Sequence, residues 1–466
     1  MTDQTADSAA PNIPPPPATL PPAPRPDRAS WFKRSYTFRA IVLVVLVLLL
    51  LIPLAMVQDL IGERAGRKAE AESEVSRTWG GVQTIVGPVI DVPYEVPVQV
   101  AANDGTGRME TRVDIHHAHF LPEELNVTTT LDPNKKHRGI YDVAVYSSKT
   151  KLTGSFAAVG GERLRTGYKM LWEDARVILG ISDLRSIKEQ VSMRIGDRTI
   201  TFEPGLDNYD VTSSGLSAAL PMDTALIAQP LAFTVDLRIN GSSMYNLVPV
   251  GKVTKVECAS SWQDPSFNGA FLPDTSNVRA DGFTAKWTVL HLNRQYPQEF
   301  IGNRREVIEQ SAFGVYLIQP VDEYQKNTRA SKYGLMLIVL VFLVFFFVEV
   351  LQKLRIHPIQ YLLAGFALCI FYTLLIAISE HLGFGPAYII SAVSVIGLVV
   401  FYSTSVFKVK RATQLLGLIM LLVFGFMFAL IHQQDYALLF GSIGLFVVLA
   451  LVMAVSRRID WNAGRE

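Results

Sequence analysis

A chain of 466 residues that is 49% apolar and only 18% charged, with mean hydropathy +0.26, exceeds ordinary soluble composition and points to a membrane protein with a sizeable soluble part. Its formal net charge of +1 excludes the global basic bias that nucleic acid would select. Cysteine usage excludes a disulfide scaffold: Cys258 lies in a polar stretch and Cys369 in the apolar run LCIFY, so an intrachain bridge is not expected.

Residues 1–30 hold nine prolines between Pro11 and Pro26 and almost no large apolar side chains, which predicts a disordered cytoplasmic tail. Residues 31–57 follow as a basic flank and a first span. AIVLVVLVLLLLIPLAMV (40–57) is long enough for a tilted membrane helix and is preceded by Lys33, Arg34 and Arg39. No A-x-A site follows it, which favours an uncleaved signal anchor over a removed signal peptide.

Residues 58–331 are expected outside the cytoplasm. They open with a charged helical run in which Glu63 and Arg67 pair at i, i+4. After Trp79 the texture becomes short alternating runs broken by Gly, Pro, Asn and Asp. LAFTVDLRI (231–239) places Phe233, Val235, Leu237 and Ile239 on one face, and Asn240-Gly241 after it predicts a tight hairpin turn. QVSMRI and RTITF flank Gly196-Asp197 in the same manner, and GIYDVAVYSS with KTKLTGSFAA reads as another strand pair. KVTKVECAS puts Cys258 on one face with Thr254 and Val256, hence buried and inert. The expected fold class is therefore α+β: membrane helices around a large, mostly antiparallel, sandwich-like β region of one or two domains.

Residues 332–456 contain five further apolar runs, near 333–351, 359–378, 386–407, 413–431 and 436–455. Lys353, Arg355 and His357, then Lys408, Lys410 and Arg411, then Arg457 and Arg458 fall in alternate loops or the tail 457–466; SEHLGFGP and HQQD between them contain no Lys or Arg. The positive-inside rule then puts both termini in the cytoplasm and the β region in the periplasm of a multi-pass inner-membrane protein.

Chemistry-bearing groups are few. In HHAH (116–119), His117 and His119 share a strand face, but no nearby acid or cysteine completes a metal set, so His116, His117 and His119 are expected as exposed strand residues. Ser442, His432 and Asp435 sit at one membrane face and raise an intramembrane hydrolase, though sequence proximity is weak support for a nucleophile and its base. Asp264, Asp274 and Asp281 occupy turn-like settings. Glu349 interrupts the apolar run VFFFVEV. Measured from Lys332 it lies about 25 Å along the helix, near the far boundary of a hydrocarbon core of about 30 Å. Pairing with Lys353 at i+4 makes it a helix-end residue whose replacement by Gln is expected to cost about 0.5 kcal/mol. No catalytic, cofactor or metal residue is assigned.

KYGLMLIVLVFLVFFFVEVLQKLRIHPIQYLLAGFALCIFYTLLIAISEHLGFGPAYIISA closely resembles the carboxy-terminal membrane region of CreD-type inner-membrane proteins. TWGGVQTIVGPVIDVPY, HFLPEELNV, KKHRGIYDVAVY, WEDARVILGISDLR and SSWQDPSFNGAFLP resemble the exported half of that family, so the likeness runs over about residues 58–461; HHAH departs from it. The resemblance implies a Gram-negative inner-membrane protein tied to cell-envelope integrity and to control by a carbon-source-responsive two-component system. It brings no catalytic residues. The expected function is a non-enzymatic envelope protein whose partners are inner-membrane lipids and an envelope component bound by the β region, without nucleic acid. A transporter or lipid-handling protein is the second reading and a membrane hydrolase the third.

Overall fold

The computed structural model describes residues 36–101, 109–159, 168–317, 323–352, 354, 356–407, 409–433 and 436–457. The proline-rich segment 1–30, Lys33, Arg34, Lys353, Arg355, Lys408, Asp435 and Arg458 lie outside the described residues. The first helix, α1, is Tyr36–Trp79, where the apolar run passes without a break into the charged one. Its Glu63 carboxylate accepts from Arg67 at 2.7 Å, the expected i, i+4 pair.

The chain forms two compact units, each a body of its own. The first comprises residues 1–57, 330–374 and 388–466. After α2 (Glu323–Lys332) come α3 (Gly334–Leu351), α4 (Pro358–Leu382), α5 (Phe384–Val406), α6 (Lys410–His432) and α7 (Ala437–Ser456). With α1 they give six helices long and apolar enough to cross a membrane among the described residues. Helices in lipid gain no hydrophobic energy from one another, so close backbone approach and interlocking shapes hold them. Gly365 of α4 and Gly334 of α3 supply the approach: a Cβ at either would collide with Leu50 or Leu54 of α1, at 2.2 and 2.6 Å. Phe371 fills the centre, in ring contact with Tyr372, Tyr388 and Phe424. Outward positions such as Phe401, Leu438 and Phe446 are exposed apolar side chains, as a lipid-facing surface requires.

The second unit, residues 58–329 and 375–387, is dominated by two sheets. The ten-stranded sheet runs from the edge strand Pro265–Gly269 to the edge strand Glu203–Pro204, with β1 (Gln83–Ala101) near its middle and β2 (Met109–Phe120) paired to β1 off that path. The eight-stranded sheet runs from Thr275–Arg279 to Arg198–Thr201, with β3 (Glu124–Arg138) and β4 (Tyr141–Phe156) at its centre. Alternate residues of both sheets enter one apolar cluster, among them Ile90, Val127, Tyr146, Val177, Val235 and Trp287. Cys258 belongs to it, and burial pushes its thiol up to about 12. The Leu231–Ile239 alternation and the turn at Gly196 (φ +54°) stand as the sequence reads them.

Two strand assignments differ. Asn240-Gly241 is no turn: the strand Leu231–Ser242 continues through it, Asn240 opposite Ser147 and Gly241 opposite Tyr146. Glycine is needed because the Tyr146 ring lies over it, 2.3 Å from where a Cβ would stand; the backbone turns at Ser243 instead, at φ +62°. GIYDVAVYSS and KTKLTGSFAA are not a pair but the single strand β4, since nothing between Ser148 and Lys149 breaks the chain. The sheets also include two parallel pairings, β1 with Met244–Leu247 and β3 with Val253–Ser260.

Gly241→Ala should therefore destabilise the protein by about 1–3 kcal/mol, because a fully buried ring must move. Thermal unfolding of the purified full-length protein, followed by tryptophan fluorescence, should show a lowered midpoint; an unchanged midpoint would contradict the packing described.

Candidate functional site

Two clusters of ionisable side chains stand out, one in each unit. In the β unit, antiparallel pairing of β1 and β2 sets Asp91 opposite His119 and Pro93 opposite His117. The two imidazoles flank one carboxylate. His117 Nδ1 lies 2.9 Å from Asp91 Oδ2, and His119 Nδ1 lies 3.2 Å from Oδ1, an electrostatic contact rather than a well-directed hydrogen bond. The Asn208 amide donates to Asp91 Oδ2 at 3.0 Å. On its other side, His119 Nε2 faces Asp210 Oδ2 at 3.3 Å, and its ring packs on Phe300. His119 is 0% exposed and Asp91 1%. The expectation of exposed strand residues holds for His116 alone; His117 is half-buried and His119 wholly so. The acids were hidden from the sequence because Asp91 and Asp210 reach the histidines only through the sheet and a distant loop, 26 and 91 positions away.

Both nitrogens of His119 face carboxylates, so the imidazolium is the form that satisfies its surroundings. Burial alone would lower its pKa, but the contacts with Asp210 and Asp91 outweigh that and raise it above 6.5. Burial would raise Asp91, yet the two histidines bring its pKa below 3.8. The nitrogens are directed at carboxylates rather than at a common point, and no group of three or more His, Cys, Asp or Glu is placed to hold a metal ion among the described residues.

In the membrane unit, Glu349 lies in the last turn of α3 and is 3% exposed. The pair with Lys353 lies outside the described residues. The observed partners come from other helices and from the chain just beyond α3. Arg39 of α1 donates to Oε1, the Tyr361 hydroxyl of α4 donates to Oε2 at 2.7 Å, and the Ile356 backbone N–H reaches Oε1 at 3.4 Å. Glu349 stands at the helix end as expected, but it is buried and held by α1 and α4, contacts that the i+4 reading did not include. Removing one member of a buried pair strands the other, at about 3–5 kcal/mol when both are fully buried; with Arg39 22% exposed, Glu349→Gln should cost less than that but more than a surface helical pair.

The family described as "Inner membrane protein CreD" matches residues 35–462. The "Inner membrane protein CreD" of Escherichia coli (strain K12) is 34% identical over 436 residues, covering 93% of this chain and 94% of that protein. This chain belongs to the CreD family. Among solved structures, an M1 zinc metallopeptidase from Deinococcus radiodurans shares 8% identity over 46% of this chain and 53% of that one at a TM-score of 0.20, a likeness too slight to carry any argument.

As a CreD-family protein the chain is a multi-pass inner-membrane protein, and CreD is not a known enzyme family. Its serine and histidine near the last span are not brought together by hydrogen bonds: Ser442 Oγ donates to Leu439 O of its own helix and His432 Nδ1 lies 3.0 Å from Phe428 O of its own. Asp435 lies outside the described residues. A polar cluster that local sequence pattern does not foretell joins the charged segment of α1, α2 and the α4–α5 connection. Glu380 accepts from Tyr324 at 2.9 Å and lies 3.8 Å from Arg64, and Glu323 accepts from the first N–H of α5 at 2.7 Å. Capping a helix from another element leaves no mark on the neighbouring residues. Asp281 lines a groove on the eight-stranded sheet, with Asp132, Lys149 and Arg279.

The raised pKa of His119 fixes the sign of a pH effect. Its stabilising contribution is fully present below about 6.5 and is lost as pH rises through the higher folded value. The melting temperature of the wild-type protein should fall from pH 6 to pH 9 more steeply than that of His119→Gln. Parallel profiles for the two would show that His119 is not held as a cation.

Proposed function

We propose that this protein maintains the cell envelope without catalysing a reaction. Its β region binds a polar envelope component, and its helical bundle anchors that region to the inner membrane. The observation that supports the binding role is the groove of about 620 Å³ on the eight-stranded sheet. Thr130 and Asp132 of β3, Lys149 of β4, Ser261, and Asn277 and Arg279 of the edge strand converge there. Hydroxyls, an amide and both signs of charge favour a hydrated polar ligand over an apolar one. An anchoring role for the bundle is supported by the aromatic rings that fill its centre around Phe371, and transport would call for a polar pathway in that place.

In this reading the β region is periplasmic and both termini are cytoplasmic, because the basic loops share one side. The two native cysteines are buried, so introduced thiols report cleanly. A membrane-impermeant thiol reagent, applied after the outer membrane is opened, should label Asn103→Cys and leave His357→Cys unlabelled until the inner membrane is also opened. The reverse pattern would overturn the orientation.

Lys149 and Arg279 are exposed, so their replacement should alter stability by no more than about 0.5 kcal/mol. In a deletion strain with altered detergent sensitivity, the wild-type gene and Ser442→Ala or His432→Ala should restore resistance. Lys149→Glu with Arg279→Glu should restore it at least tenfold more weakly at normal membrane levels. Full restoration by the double variant would remove the groove from the function.

A further inference from the structure

We propose that the cavity beside Arg39 and Glu349 binds the headgroup of a zwitterionic phospholipid carrying a primary ammonium, of the phosphatidylethanolamine class. This inference is independent of the groove and its ligand. The cavity, about 300 Å³, lies wholly within the membrane unit. It is built where three helices end together: Arg39 near the start of α1, Glu349 in the last turn of α3, and Tyr361 in the first turn of α4. Such a level is a membrane–water boundary, where headgroups reside. Arg39, Glu349, His357 and Tyr361 give the cavity its polar lining, and Val42 and Leu43 give it an apolar floor a turn deeper along α1. Exposed apolar side chains continue along that helix, Val45 and Leu48 among them, and offer a surface for acyl chains.

The donor and acceptor inventory selects the headgroup. Arg39 gives one nitrogen, Nη1, to Glu349 and its other N–H groups have no partner among the described residues. They suit the bidentate recognition of a phosphate. His357 Nδ1 accepts from the Ile359 N–H at 3.3 Å, which leaves Nε2 as the protonated nitrogen of a neutral ring and a second phosphate donor. A carboxylate accepts roughly four hydrogen bonds. Glu349 receives those of Arg39, Ile356 and Tyr361, so one acceptor position remains for an N–H of the ammonium. Arg39 and Glu349 cancel each other's charge, so among these lining residues a net-neutral headgroup is matched and an anionic one is not. A quaternary ammonium has no N–H to give Glu349.

The test uses the purified full-length protein in a maltoside detergent, titrated with dioleoyl phosphatidylethanolamine, phosphatidylcholine or phosphatidylglycerol and read by native mass spectrometry. The ethanolamine lipid should bind about tenfold more tightly than either of the others, the equivalent of one charge-assisted hydrogen bond. Arg39→Gln and Glu349→Gln should each abolish that preference. Because they also break the ion pair, Val42→Trp provides a variant that fills the cavity and leaves the pair intact. It should lose the preference while retaining the wild-type melting temperature. Equal binding of the three lipids, tighter binding of the glycerol lipid, or an undiminished preference in Val42→Trp would overturn the proposal.

Discussion

The membrane unit depends on the first span finding the other five across the whole β region, and the contact that fixes this is the Arg39–Glu349 ion pair, 310 positions apart. Lipid offers no hydrophobic reward for bringing helices together. Register must come from shape and from polar groups that have no alternative partner. Leu50 against Gly365 and Leu54 against Gly334 set the rotation of α1, and Arg39 sets its depth. A buried pair is weak evidence of net stability, because desolvation offsets the attraction. Its physical value here is to penalise every arrangement in which Glu349 lacks a cation.

In the β unit the corresponding constraint is the pairing of buried polar groups across separate strands and turns. Tyr245, fully buried, has its hydroxyl 2.6 Å from Thr150 Oγ1 and 3.0 Å from Thr129 Oγ1, so two neighbouring strands meet one ring. Arg294, also buried, is held by backbone carbonyls of Tyr296 and Val250, which tie the segment after Pro249 to the turn at Tyr296. Asp91 belongs to the same order of things: β1, paired on both edges, carries a carboxylate into the interior and the histidines of β2 neutralise it. Interior polar groups satisfied in this way specify one arrangement of strands over its neighbours in register.

What the sequence revealed was whatever depends on local period. The five later apolar runs became spans with ends shifted by a few residues, the first run continues as one helix to Trp79, and the alternation of Leu231–Ile239 became a half-buried strand. The errors arose where tertiary contact overrides local preference. Asn240-Gly241 has the chemistry of a turn, yet its glycine answers to the Tyr146 ring from another strand. Of the two candidate sites, the sequence singled out His117, His119 and Glu349 but not Asp91, Asp210 or Tyr361, which they touch. His119, Glu349 and Glu380 each take partners from other elements, and a single chain without its fold carries no sign of such pairings. Glu349 was nonetheless placed correctly at a helix end, because that required only counting residues against the thickness of a bilayer.

The strands that end the main path of each sheet bear on whether neighbouring copies can pair edge to edge. Each is short, from two to five residues, and each is broken or charged: Pro265–Gly269 begins with proline, Glu203–Pro204 ends with it, and Thr275–Arg279 and Arg198–Thr201 carry arginine at one end. A long, flat, apolar edge would serve as a template for a strand of the next molecule. Tethering in a plane raises the local concentration of such edges and so the risk of runaway polymerisation. At these four margins a neighbouring copy finds little backbone to extend.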